Sequence, residues 1–276
     1  MSERATLADL SRFGNPPERP VEFRENEFTG KVVLITGASR GIGAATARRF
    51  AGLGAFGIVI NSRPNSQDKA VALVDELQDI GRRTGTKALW IPGDITDEDT
   101  AEALIRGTVQ EFGRLDILIN NAGIRDDGLF VRMGDLQMRG VMEANFFGPA
   151  RVAKEAIKQM IKQRPRGGAI VFTSSVASEG SPGQANYSAS KGAINALTKT
   201  LAAEYQGVGI RVNAVAPGLV ETSLTSDLTI QQRSALLTAT QSERALTPEE
   251  VAEHVVFLAS DHAANRTGQI IPLLKP

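Results

Sequence analysis

Tyr187 and Lys191 stand four apart in the stretch Tyr187-Ser188-Ala189-Ser190-Lys191. On a helix that spacing places them one turn apart on the same face. A free phenol, with a pKa of about 10, is a poor acid–base catalyst at neutral pH. A cation held close favours the phenolate and moves that pKa toward useful proton transfer. Upstream, Thr173-Ser174-Ser175 closes the apolar run Ala169-Ile170-Val171-Phe172, so these hydroxyls fall where a strand ends. Pro182 and Gly183 supply the loop that brings serine and tyrosine together. Taken alone, Tyr-x-x-x-Lys also fits an ordinary surface helix, so the elements that position it must decide.

The composition, 42% hydrophobic and 22% charged over 276 residues, is that of a globular domain large enough for one α/β unit. Lys+Arg and Asp+Glu are both 31, so no global field recruits nucleic acid or an anionic membrane. With no cysteine there are no disulfides and no thiolate chemistry, and with only two histidines no metal site is expected. Residues 1–29 mix charges of both signs with three prolines and hold no apolar stretch long enough for a signal peptide or membrane span. They read as an N-terminal arm, partly disordered or packed on a neighbouring subunit.

Lys31-Val32-Val33-Leu34-Ile35 reads as a buried parallel strand. It opens into Thr36-Gly37-Ala38-Ser39-Arg40-Gly41-Ile42-Gly43 and then the helix-forming Ala44 to Phe50. Glycines at such a junction permit a tight turn and close backbone approach, and the helix N-terminus offers N–H groups to a diphosphate. The second run, Gly57 to Ile60, ends in Asn61-Ser62-Arg63 with no acidic residue to hold ribose hydroxyls. Arg40 and Arg63 are instead cations suited to a 2′-phosphate, so NADP(H) is the expected cofactor. Strands Ala88–Ile91, Leu115–Ile119, Ile170–Thr173, Arg211–Val215 and Gln269–Ile271 alternate with helices. This pattern predicts a single-domain α/β Rossmann fold over 30–276, a doubly wound parallel sheet of about seven strands with helices on both faces. The site is then expected beyond the carboxyl ends of the strands.

These motifs together resemble the short-chain dehydrogenase/reductase family over roughly residues 30–271: Thr36-Gly37-x-x-x-Gly41-x-Gly43, Asp94, Asn120-Asn121-Ala122-Gly123, Asn145, Ser175, Tyr187-x-x-x-Lys191 and Pro217-Gly218. The resemblance implies hydride transfer between a nicotinamide cofactor and a carbonyl carbon. It gives Tyr187 the role of general acid, Ser175 that of hydrogen-bonding the carbonyl oxygen, and Lys191 that of lowering the tyrosine pKa and holding the ribose. Asn145 would support a water-linked proton relay through Lys191. Ser39, Ile42, Ser62, Asp94, Ile95, Asn121, Ala122, Gly123, Pro217, Gly218, Val220 and Thr222 are expected along the cofactor, beside the glycine loop, Arg40, Arg63, Tyr187 and Lys191.

Within the family the texture is that of β-ketoacyl carrier-protein reductases, notably Asn121 to Asp127, Phe130-Val131-Arg132-Met133 and Gly183 to Tyr187. The expected reaction is NADPH-dependent reduction of a β-ketoacyl thioester or polyketide-like carbonyl. The alternatives are alcohol, steroid or sugar oxidation by the same machinery, and a catalytically silent NADP-binding protein. Four departures stand out. The Ser175–Tyr187 interval is one residue short, which keeps Ser174 open for the serine role. Arg132 matches a carrier-protein docking arginine, but Val208 stands where a second is usual. The C-terminus lacks the usual Asp-Gly-Gly, and the N-terminal arm is long. Residues 222–243 read as a substrate lid. The apolar positions of the Tyr187–Tyr205 helix exceed one face, so this helix and the one near 136–162 are expected to pair in a homodimer or homotetramer, in the cytoplasm.

Overall fold

The structure is a computed structural model and describes residues 22–274. Strand β1 (Val32–Ile35) is wholly buried, and its alternation explains the architecture. Val33 and Ile35 face one apolar layer, and Val32 and Leu34 face the other. A strand with apolar side chains on both faces is stable only when both are covered. Helices α1 (Gly41–Gly52), α2 (Gln67–Thr84) and α8 (Pro248–Ala259) cover the first face. Helices α3 (Thr100–Phe112), α5 (Gly148–Lys162) and α6 (Ala185–Tyr205) cover the second.

The remaining strands are β2 (Gly57–Ser62), β3 (Lys87–Pro92), β4 (Ile117–Asn120), β5 (Gly168–Thr173), β6 (Ile210–Pro217) and β7 (Ile270–Leu273). All pair in parallel, in the order β3-β2-β1-β4-β5-β6-β7. The predicted doubly wound Rossmann sheet is therefore present, with seven strands among the described residues. β6 runs longer than its apolar core suggests, because Ala216 and Pro217 still pair with β7. Pro272 is tolerated because β7 is an edge strand. The order reverses between β1 and β4, which opens the crevice where such sheets take their ligands.

Helix α4 (Asp135–Met142) leads through a π-turn, Glu143–Phe147, straight into α5. The region 222–243, read as a lid, holds one helix, α7 (Ile230–Ala239). Its start is fixed by a capping box in which Thr229 and Gln232 satisfy each other's backbone amides, the device that Thr247 and Glu250 repeat at α8. The N-terminal arm joins the domain from Glu22 onward. Phe28 is buried edge-to-face on Phe50, and Glu27 pairs with His262. Residues 1–21, the rest of the expected arm, lie outside the described residues.

Candidate active site

At the switch point the β1 chain end meets the β4 chain end. Thr36 Oγ1, with no solvent exposure, accepts the amides of Asn121 and Ala122 at 3.1 Å each. Asn121 Nδ2 donates back to the carbonyls of Thr36 and Gly37 at 3.2 and 3.1 Å. Asn121 thus lines the cleft but spends its amide as a staple between the two loops. Gly37, at φ +63°, lies so close to this staple that a Cβ would sit 2.7 Å from Ala122 Cα. Gly43 does not line the cleft; a Cβ there would meet the Gly37 carbonyl at 2.7 Å and Asn121 Nδ2 at 2.8 Å. Its expected cofactor contact is corrected to a packing role, since helix α1 must approach the turn closely.

The cleft has a volume of about 310 Å³ and is lined by the other expected cofactor residues: Gly37, Ser39, Arg40, Gly41, Ile42, Ser62, Arg63, Asp94, Ile95, Asn121, Ala122, Gly123, Tyr187, Lys191, Pro217, Gly218, Val220 and Thr222. Helix α1 begins at Gly41 with no side-chain cap and no acidic residue in its first turn, so its amides remain open to an anion. Arg40 and Arg63 are exposed, and their side chains make no ion pair or hydrogen bond with any described residue. Ser62 is nearly buried and accepts a hydrogen bond from Trp90 Nε1 at 3.1 Å. One Asp94 oxygen closes a turn on the Thr96 amide and hydroxyl, at 3.0 and 2.8 Å. A glycine turn, an open helix N-terminus and two guanidinium groups without partners among the described residues fit a dinucleotide carrying an extra phosphate.

At the other end, Thr173 closes β5 and its carbonyl accepts from Lys191 Nζ at 2.7 Å. Lys191 is 4% exposed, and burial pushes its pKa down to about 8. Burial raises the Tyr187 phenol above its ordinary value; a hydrogen bond to Ser175 and the nearby Arg125 oppose this, and Asp127 adds to it. Ser174 also lines the cleft, but its buried hydroxyl is committed to Asn195 Oδ1 at 2.6 Å. Ser175 lines the cleft, accepts the Ala177 amide at 3.1 Å and donates only a long hydrogen bond, 3.5 Å, to the Pro217 carbonyl.

Asn145 sits in the π-turn, 1% exposed and outside the cleft lining. Its side chain clamps the Ile124 backbone from both sides, at 2.8 and 2.9 Å, and donates to Ser190 Oγ at 3.1 Å. Ser190 in turn donates to the Tyr187 carbonyl at 2.7 Å. Asn145 and Lys191 flank Gly123, where a Cβ would lie 3.1 Å from Asn145 Oδ1 and 3.6 Å from Lys191 Nζ. Sequence reasoning passed over Asn195, although it lies four residues beyond Lys191 on the same helical face. It also passed over Asn61, a buried amide one residue before the end of β2 that donates to the Ile91 and Gly93 carbonyls.

A family model described as short chain dehydrogenase matches residues 31–233. The chain belongs to the short chain dehydrogenase family. Among curated relatives, the 3-oxoacyl-(acyl-carrier-protein) reductase FabG of Thermotoga maritima is 42% identical over 243 residues, 88% of this chain and 95% of that one. Its namesake from Staphylococcus aureus (strain Mu50) is 39% identical over 242 residues, covering 87% and 95%. The Escherichia coli K12 protein is 39% identical over 244 residues, covering 88% and 96%. Like its family, this short chain dehydrogenase is an oxidoreductase of carbonyl and hydroxyl groups that works with NADP(H).

Proposed function

We propose that the chain reduces the 3-keto group of a 3-oxoacyl thioester, presented on an acyl carrier protein as in the names of its relatives. The observation that carries this is the meeting of Ser175, Tyr187 and Lys191 at one end of a cleft whose other end holds the glycine turn, Arg40 and Arg63. Exposed Arg132 is the docking contact offered to the carrier protein.

When bound, the reduced nicotinamide supplies hydride to the carbonyl carbon. Negative charge then develops on the substrate oxygen, and the chain's task is to stabilise and protonate it. Ser175, its lone pair already engaged by Ala177, turns its proton from the long 3.5 Å bond to the Pro217 carbonyl onto the substrate oxygen. Tyr187 transfers its proton to the oxygen. A phenol held above its ordinary pKa remains protonated at neutral pH, the form that reduction consumes. Lys191 is mostly charged at pH 7 and supplies a cation beside the ring, its position set by Thr173. Asn145 holds Ile124 and Ser190, and with them the loop and the helical turn that carry Tyr187. Asn145 Oδ1 and Lys191 Nζ both border Gly123, which brings the amide close to the ammonium.

The working form is a homodimer or homotetramer in the cytoplasm. Leu129, Phe130, Val131 and Leu136 are 59–88% exposed at the start of α4, apolar surface that a second copy would cover. No helix among the described residues is long and apolar enough to cross a membrane. The experiment is NADPH oxidation with acetoacetyl thioesters, free and carrier-bound, against ketosteroids and sugars. Preference for a steroid or sugar would overturn the acyl assignment. Light scattering at micromolar concentration should give at least twice the chain mass; a monomer would remove the oligomer.

A further inference from the structure

We infer that Arg125 is a positioning residue for the substrate: through Asp227 it fastens the segment between β6 and α7 to the loop after β4, closing the substrate end of the cleft. This rests on the ketoreductase reading. Arg125 follows Ile124, which lines one wall of the cleft, while Ser223, Leu224 and Thr225 line the opposing wall. The guanidinium is only 10% exposed and lies between two carboxylates. Its Nη1 is 3.1 Å from Asp127 and its Nη2 is 2.5 Å from Asp227.

The two partners are held very differently. Asp127 accepts Gln184 Nε2 at 3.1 and 3.2 Å, three residues before Tyr187. Its neighbour Asp126 is bonded through its carbonyl to Asn186 at 2.7 Å and to Gln137 at 3.0 Å. This side is anchored to α4 and α6. Asp227, by contrast, has a 74% exposed side chain. Among the described residues, every other hydrogen bond of residues 223–229 stays within 220–233, as with Leu228 to Thr225 and Thr229 to Gln232. The Arg125–Asp227 pair is therefore the polar tie between this wall and the body of the domain. A tie to an exposed carboxylate is weak enough to open for each substrate and is screened by salt.

The test uses Asp227→Asn, which removes the tie at an exposed side chain, with Asp227→Glu as the conservative rescue. At saturating NADPH, with an uncharged β-ketoester as substrate, Asp227→Asn should raise KM by about two- to fivefold, the range of an exposed ion pair. The kcat should stay within about twofold, and Asp227→Glu should recover KM. Raising NaCl toward 1 M should raise the wild-type KM toward that of Asp227→Asn and leave the variant unmoved. Limited proteolysis without substrate should cut within 223–229 faster in Asp227→Asn than in wild type. Unchanged KM with an unchanged salt response in the variant would overturn the latch. If wild type reduces no ketone, the ketoreductase reading falls, and proteolysis alone decides the tie: equal cutting rates overturn it.

Discussion

The Lys191 ammonium lies 5.6 Å from the centre of the Tyr187 ring and donates its hydrogen bond at 2.7 Å to the Thr173 carbonyl, at the end of the strand that delivers Ser175. One bond thus ties the helix bearing the acid to the strand bearing the oxyanion donor. An ammonium has three protons to donate, so two remain for a ribose or a water. The geometry also commits a charge to a buried place, which has a measurable consequence.

Lys191 should make stability depend on pH in the alkaline range. Burial lowers its pKa from 10.5 to about 8, so the folded chain releases the proton well before the unfolded chain does. Between those two values the unfolded state binds more protons, and stability from this group rises with pH; below pH 8 the penalty is fully present. Each unit of separation corresponds to about 1.4 kcal/mol. Urea unfolding of wild type and Lys191→Met should therefore diverge from pH 8 to 10.5 in favour of wild type and run parallel from pH 6 to 7.5. Parallel curves throughout would show that the lysine is not desolvated.

Arg40 and Arg63 should set cofactor choice. Both are exposed and their side chains have no partner among the described residues, so each is available to a 2′-phosphate. Losing one such contact is expected to cost about 1.5–3 kcal/mol, the range for hydrogen bonds to a charged group. Replacing both by glutamine should weaken NADPH binding far more than NADH binding, measured by fluorescence titration. Equal affinity of the wild type for the two cofactors would contradict the assignment.

Much of this site was legible because its signals are local. The turn from β1 into α1 announces itself by glycine spacing, and Tyr187 and Lys191 by one helical turn. What stayed hidden are partners brought together only by the sheet. Asn145 clamps Ile124 across 21 residues, and Arg125 reaches Asp227 across 102. The π-turn that aims Asn145 has no composition of its own, so 143–147 reads as plain helix. Gly43 looked like a cofactor contact because motif spacing cannot separate a glycine that approaches a ligand from one that approaches its own chain.

Ser174 and Ser175 should separate stability from chemistry. Ser174→Ala leaves the part-buried Asn195 Oδ1 without its 2.6 Å donor, a loss expected to cost about 1 kcal/mol of stability. Its kcat should change little. Ser175→Ala removes the hydroxyl that faces the substrate oxygen and should lower kcat by roughly 10²-fold, the scale for one lost oxyanion donor. Thermal melts and ketone reduction rates, measured on both variants, should show opposite rankings; matching rankings would mean that the two hydroxyls were misassigned.

Tyr187→Phe keeps the ring, its packing and the helix, and removes only the dissociable proton. NADPH affinity should change little, since the diphosphate is proposed to be held by the glycine turn and the ribose by Lys191. Carbonyl reduction should fall by about 10²-fold or more, the usual scale for a positioned general acid. Lys191→Met should damage both properties, because that ammonium is proposed to hold the ribose and sits beside the phenol. The contrast between the two variants is the diagnostic, since either alone could lose activity by misfolding. A Tyr187→Phe enzyme that reduces a good ketone at near wild-type rate would place the proton donor elsewhere. Cofactor binding would survive that result; the proton path through Tyr187 would not.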